Sequence, residues 1–276
     1  MLVRRLALGA IIALVAACSA SAEPEPGSAD SEAVARIDAP SDGRDAAGPG
    51  KGPSDEDPDA TLPGDILGTL TGSCGIVRTQ LGSAISTLEQ NTLTFVAGEA
   101  YERESLSPGG QRLFDTPNAG GSSTESEVMS FEILRACEGA SLVKTETEIA
   151  YGDDTPGAPT ITDILVEIGG QKVGVSVARA YRPQNLAFPD ADVKALIQKK
   201  LEGVNRSSER VRPEDRWVKQ ILHVFAANQA QADAVVRVLP TIDASVRANT
   251  IVLLTQTTGG GFVYCNPDPP LGSECP

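Results

Sequence analysis

The chain has 276 residues, of which 37 are acidic and 23 basic, for a formal net charge of −14, and 41% are hydrophobic. That length and apolar content permit a substantial buried core, while the acidic balance has the wrong sign for a general nucleic-acid binder, which normally carries a basic footprint. A single histidine and the lack of any Cys-x-x-Cys pair argue against a thiolate or imidazole metal centre.

The first stretch, MLVRRLALGAIIALVAACSA, sets Arg4 and Arg5 ahead of an apolar run from Leu6 to Ala17. That run is too short for a stable spanning helix and reads as a secretory signal over residues 1–17. Val15-Ala16-Ala17-Cys18 resembles a bacterial lipobox. The resemblance implies cleavage before Cys18, lipidation of that cysteine, and a protein held on the periplasmic or cell-surface side of a bacterial envelope. Residues 18–65 are Ala, Gly, Pro, Ser and acids, with twelve acidic side chains against three basic ones in 19–65. Such a segment has too little to bury to offset the entropy of ordering, so a disordered acidic linker is expected. Residues 66–276 then form a single globular domain with a net charge of −7.

Four cysteines remain in that domain, Cys74, Cys137, Cys265 and Cys275. An exported domain meets an oxidising compartment, so an even set implies two disulfides with three connectivities open. The pairing expected is Cys74 with Cys137, tying the leading segment to the core, and Cys265 with Cys275, closing the Pro-rich tail.

Along the domain, the spacing suggests a helix around Ile76–Thr87, followed by loop-like sequence with SPGGQ at 107–111 and TPNAGGSS at 116–123. Ser122 with Glu125, and Thr124 with Glu127, each match a capping box, which predicts a helix to about Glu138 with Glu127 at the edge of its buried face. Leu142–Tyr151 alternates as a strand, with Lys144, Glu146 and Glu148 pointing one way. The stretch Ile161–Ala180 is a hairpin about Gly169-Gly170, a pair that readily takes the positive φ of a two-residue loop. Its register puts Ile164, Val166, Ile168, Val173, Val175 and Val177 on an apolar face. Asp163 opposite Ser176 and Glu167 opposite Lys172 mark the polar one. A helix from Asp190 to about Arg206 carries Lys199 and Lys200; a buried strand at 220–227, a helix at 230–239 and a strand at 250–256 complete the reading. The order α-β-β-β-α-β-α-β over 123–256 predicts an α/β fold, a mixed central sheet with helices on both faces.

That order, with its central hairpin, resembles the core of the PD-(D/E)XK nuclease superfamily, the restriction-endonuclease-like fold. In that family an acid ends or interrupts the second core strand, and a (D/E)xK tripeptide lies on the third. The carboxylates hold Mg²⁺, and the lysine positions or activates water. Asp163 matches the first acid. Register places Ser176 where the second acid belongs and Ala178 where the lysine belongs, so the motif is broken in place. Some members supply a missing group from a neighbouring element, and here Glu127, Glu148, Lys199 and Lys200 are the candidates. Asp163, Glu148 and Glu127 would then be the metal ligands, with Mg²⁺ as cofactor and nucleic acid as substrate.

Two other readings stand beside it. Gly174-Val-Ser176-Val-Ala178 resembles a relaxed nucleophile elbow of serine hydrolases, with Asp192 and His223 following in order, but an elbow turns sharply into a helix and this segment continues as strand. The plain reading is a packed domain with a surface polar hairpin and no chemistry. The expectation carried forward is an envelope lipoprotein whose nuclease-like domain has an incomplete metal site, needs no cofactor, and acts as a binding or structural module. Its membrane contact is made through the lipid at Cys18.

Overall fold

A computed structural model describes residues 65–97, 100–117, 123–152, 162–183 and 186–264. The signal segment, Cys18, the linker up to residue 64, and both Cys265 and Cys275 lie outside the described residues.

Among the described residues seven strands form one mixed sheet: β1 (Thr69–Gly72), β2 (Thr87–Thr94), β3 (Ser141–Thr145), β4 (Ile164–Ile168), β5 (Gln171–Ala180), β6 (Lys219–Ala226) and β7 (Ile251–Thr258). Their order across the sheet is β1-β2-β7-β6-β5-β4-β3. Strands β2, β7, β6 and β5 run parallel to one another, and antiparallel pairs close the two edges. The helices are α1 (Val77–Gln80), α2 (Pro108–Asp115), α3 (Thr124–Glu138), α4 (Asp190–Arg210), α5 (Gln229–Val238) and α6 (Ala244–Arg247). This is the α/β class that the alternating pattern predicts.

Side-chain alternation divides the core between two faces of the sheet. Val166, Val175, Val177, Ile221, Phe225 and Leu253 meet Val128, Phe131 and Leu134 of α3 on one face. Ala178, Leu222, Val224 and Val252 meet Val193, Ile197 and Leu201 of α4 and Val235 of α5 on the other. Helices therefore cover both faces. The hairpin register matches the alternation from Ile168–Gln171 to Ile164–Val175, and its turn glycines take φ of 57° and 76°. Its second face is not a surface, because Leu165, Ser176 and Ala178 are buried.

Four local expectations give way. The helix foreseen at Ile76–Thr87 is a single turn followed by β2, an edge-proximal strand paired to β7. SPGGQ opens α2 instead of a loop, with Ser107 accepting the Gly110 N–H at 3.2 Å and Pro108 in the first turn. The two glycines there serve packing: a Cβ on Gly109 would stand 2.4 Å from the Phe131 ring, and one on Gly110 2.1 Å from Glu132 Oε1. Strand β3 stops at Thr145, and Glu146–Glu148 forms a 3₁₀ turn whose Glu148 carboxylate accepts the Thr145 N–H at 2.8 Å. Helix α3 starts after Ser123 without a side-chain cap, since the Ser123 hydroxyl donates to the Glu127 carboxylate at 2.5 Å. The Cys74–Cys137 disulfide forms as expected and ties the loop between β1 and α1 to the end of α3.

Candidate functional site

The interruption of β4 organises the site. Beyond Ile164 the ladder to β5 ends, so Asp163 does not pair with Ser176 or Thr162 with Val177. The Asp163 N–H donates to the Val175 carbonyl at 3.1 Å instead. In a strand the N–H and C=O of one residue point to the same side, so both polar groups of Val177 face the gap that β4 leaves, and buried backbone groups demand partners. Two charged side chains supply them. The Asp163 carboxylate accepts the Val177 N–H at 2.5 Å, and the Lys200 ammonium of α4 donates to the Val177 carbonyl at 3.0 Å.

The Asp163 carboxyl is raised to about 7, by burial first and by the negative charges of Glu127 and Glu146, with Lys200 and the Val177 N–H acting against them. Glu127 comes from the first turn of α3 and Glu146 from the turn after β3. Arg179 of β5 stands on the α3 side, donating to the Tyr264 carbonyl at 3.3 Å. Its guanidinium is pushed below its ordinary range by burial, and Glu125 and Glu127 act against that. Asp163, Glu127 and Lys200 are thus brought together from a strand end and two helices on opposite faces of the sheet.

The remaining candidates stand apart. Glu148 pairs with Arg112 at 2.6 Å and caps Thr145, and Arg112 holds its carboxyl below the usual range. Lys199 is exposed. Ser176 is buried on the α4 face, one residue from Val177. Glu146 takes the place foreseen for Glu148, which strand alternation could not reveal because the strand has already ended.

The serine-hydrolase arrangement does not assemble. His223 is in register with Val177 and Ser176 with Leu222, so alternation puts the imidazole and the hydroxyl on opposite faces. The His223 Nδ1 meets Ser130 Oγ at 2.8 Å and Nε2 meets Thr255 Oγ1 at 2.7 Å, and Thr255 donates onward to Asn91 Oδ1 at 2.5 Å. Because the single Thr255 proton goes to Asn91, Thr255 accepts from His223 Nε2–H, and Nδ1 accepts from Ser130. Burial pushes the imidazole down to about 3, so it stays neutral. Asp192 is held by Arg182 at 2.9 Å.

For Mg²⁺ the donor set fits poorly. Asp163 is committed to a backbone N–H, Ser176 and Ala178 offer β5 no carboxylate, and among the described residues no three His, Cys, Asp or Glu side chains are grouped to hold a metal ion. Two cavities lie away from these carboxylates. One of about 500 Å³ runs along Pro183, Leu186 and Phe188 to the start of α5, and one of about 330 Å³ lies beside Trp217.

No protein-family model matches the chain, and no solved structure matches it. It is similar to the "AAC-rich mRNA clone AAC4 protein" of Dictyostelium discoideum, 43% identical over 166 residues that cover 58% of this chain and 24% of that protein. The chain thus spans about a quarter of the length of the curated relative it matches.

Proposed function

We propose that this chain is an envelope lipoprotein, anchored to a bacterial membrane through lipid on Cys18, whose nuclease-like domain has an incomplete metal site and works as a binding or structural module. One observation carries the reading. Asp163 and Lys200, the acid and the lysine that a relocated site would need, are both engaged by the Val177 peptide groups, where they replace a missing strand. The nuclease-like assignment draws support from the succession α3-β3-β4-β5-α4-β6 and from an acid at the interrupted end of the second strand of that series.

A second reading, an Mg²⁺-dependent nuclease with relocated residues, is favoured by the charges of Glu127, Glu146 and Lys200 acting on Asp163. Perturbed carboxyls near the carboxyl ends of parallel strands are typical of functional sites. The two separate by assay. The purified chain incubated with DNA or RNA and Mg²⁺ or Mn²⁺ is expected to cleave neither, and Asp163→Ala to alter stability more than any activity. Robust metal-dependent cleavage, abolished by Asp163→Ala and Glu127→Ala and slowed by Lys200→Ala, would establish the nuclease reading instead.

A further inference from the structure

The cavity of about 330 Å³ beside Trp217 lies at the starts of β6 and β7 and belongs to neither reading of the Asp163 site. Trp217 is the single tryptophan of the chain. One part of its ring lies on Gly174 of β5, where a Cβ would come within 2.7 Å of the indole, and its Nε1 donates to Ser208 Oγ at 2.9 Å. Ser208 in turn donates to Gln220 Oε1, while Gln220 Nε2 reaches Asn205 Oδ1 at 2.8 Å and Thr250 Oγ1 at 2.9 Å. Each polar group on this wall is fixed by another, so the wall is rigid before any ligand arrives.

The facing wall is a tight turn. The Thr250 N–H donates to the Arg247 carbonyl at 3.0 Å, and Ala248 between them has φ of 45° and ψ of −130°. Ala248 is the one non-glycine residue with positive φ among the described residues, in a conformation that glycine takes without strain. Strain of this kind persists where the surrounding structure holds it, and binding sites are where it collects. Here the strained turn presents Asn249 to the cavity. Among the described residues the side chains of Asn249, Ser245 and Glu209 are not bonded into the wall, so their polar atoms remain for a ligand.

Charge decides the ligand class. Lys219 also lines the cavity, but its ammonium is turned to the carbonyls of Ser83 at 2.6 Å and Ile85 at 3.1 Å. The charge left facing the cavity is the Glu209 carboxylate, which disfavours an anion. The Asn249 amide, the Ser245 hydroxyl and the Glu209 carboxylate, beside a largely buried indole, match a compact, uncharged molecule with several hydroxyls. The volume stands at the small end of ligand pockets. We infer that this cavity binds a neutral pyranose ring, with Asn249 and Glu209 taking its hydroxyls and the largely buried Trp217 serving as the rigid wall beside it.

Trp217 makes the test direct, because all tryptophan emission of the chain comes from the cavity wall. The full chain should be titrated with glucose, galactose, mannose and N-acetylglucosamine, and in parallel with glucose 6-phosphate. The expected result is a saturable change in emission with at least one neutral sugar, weakened about tenfold in Asn249→Ala and in Glu209→Gln. Both variants should keep the wild-type unfolding midpoint. A lack of saturable change with every neutral sugar, full affinity in both variants, or equal affinity for the phosphorylated sugar would overturn the assignment.

Discussion

Asp163 and Lys200 meet at one residue: the carboxylate takes the Val177 N–H at 2.5 Å and the ammonium takes the Val177 carbonyl at 3.0 Å. An acid and a base thereby stand in for the strand residue that an uninterrupted β4 would have supplied. The arrangement explains how a hairpin with one interrupted strand keeps its buried edge satisfied.

That geometry has a pH signature. The Asp163 carboxyl is raised from 3.8 to about 7, chiefly by burial, so between those values the folded protein binds more protons than the unfolded chain. Its contribution to stability therefore falls as pH rises through that window, by roughly 2–4 kcal/mol after allowance for screening. Asp163→Asn keeps an acceptor for the Val177 N–H and removes the charge. Relative to wild type, the variant should gain roughly 1–3 kcal/mol at pH 8 over its difference at pH 4.5. Urea unfolding at the two pH values measures this, and a difference that does not change with pH would contradict it.

The Cys74–Cys137 bridge closes a loop of sequence separation 63 across the α1–β2–α2 region. In the loop-entropy model a closure of that length contributes about 4 kcal/mol. Cys74→Ser with Cys137→Ser should lower unfolding stability by about that amount, and non-reducing peptide mapping should recover the two cysteines in one linked pair. Recovery of Cys74 linked to either tail cysteine would refute the pairing.

The anchor is tested separately from the domain. Cys18→Ala should move the protein into the soluble fraction and remove a diacyl mass from the amino-terminal peptide, because stable anchoring needs two chains at about 0.8 kcal/mol per buried CH₂. An unmodified Cys18 peptide from the wild-type protein would end the lipoprotein proposal.

Legibility follows burial contrast. Val193, Ile197, Leu201 and Val204 repeat at helical spacing and all four are buried, so α4 can be read from residue types alone. Strand β2, TLEQNTLT, is half-polar with only Asn91 and Leu93 buried, and offers too little contrast to be told from loop or helix. The Gly109-Gly110 pair looks like a turn because nothing local signals that Phe131 and Glu132 press against it. At the site, Asp163, Glu127 and Lys200 are each visible as candidates, yet the replacement of Glu148 by Glu146 depends on where β3 stops. That stop is set by Glu148 capping Thr145, together with its long-range pair to Arg112.

His223 supplies the opposite pH slope. Burial lowers its imidazole from 6.5 to about 3, so in that window the unfolded chain binds more protons than the folded protein. Stability from this group is fully present above 6.5 and is lost as pH falls towards 3, by roughly 3–5 kcal/mol. Between about 4 and 6.5 the Asp163 and His223 contributions run against each other, and the wild-type profile should be flatter there than either alone. Removing one should expose the other. Asp163→Asn should steepen the loss on acidification. His223→Gln should weaken the Ser130 and Thr255 hydrogen bonds, at a cost of roughly 1–3 kcal/mol at pH 7, yet lose less than wild type on going to pH 4.5. Denaturant midpoints for the three proteins from pH 4.5 to 8 decide it, and parallel profiles would show that neither group titrates as its surroundings require.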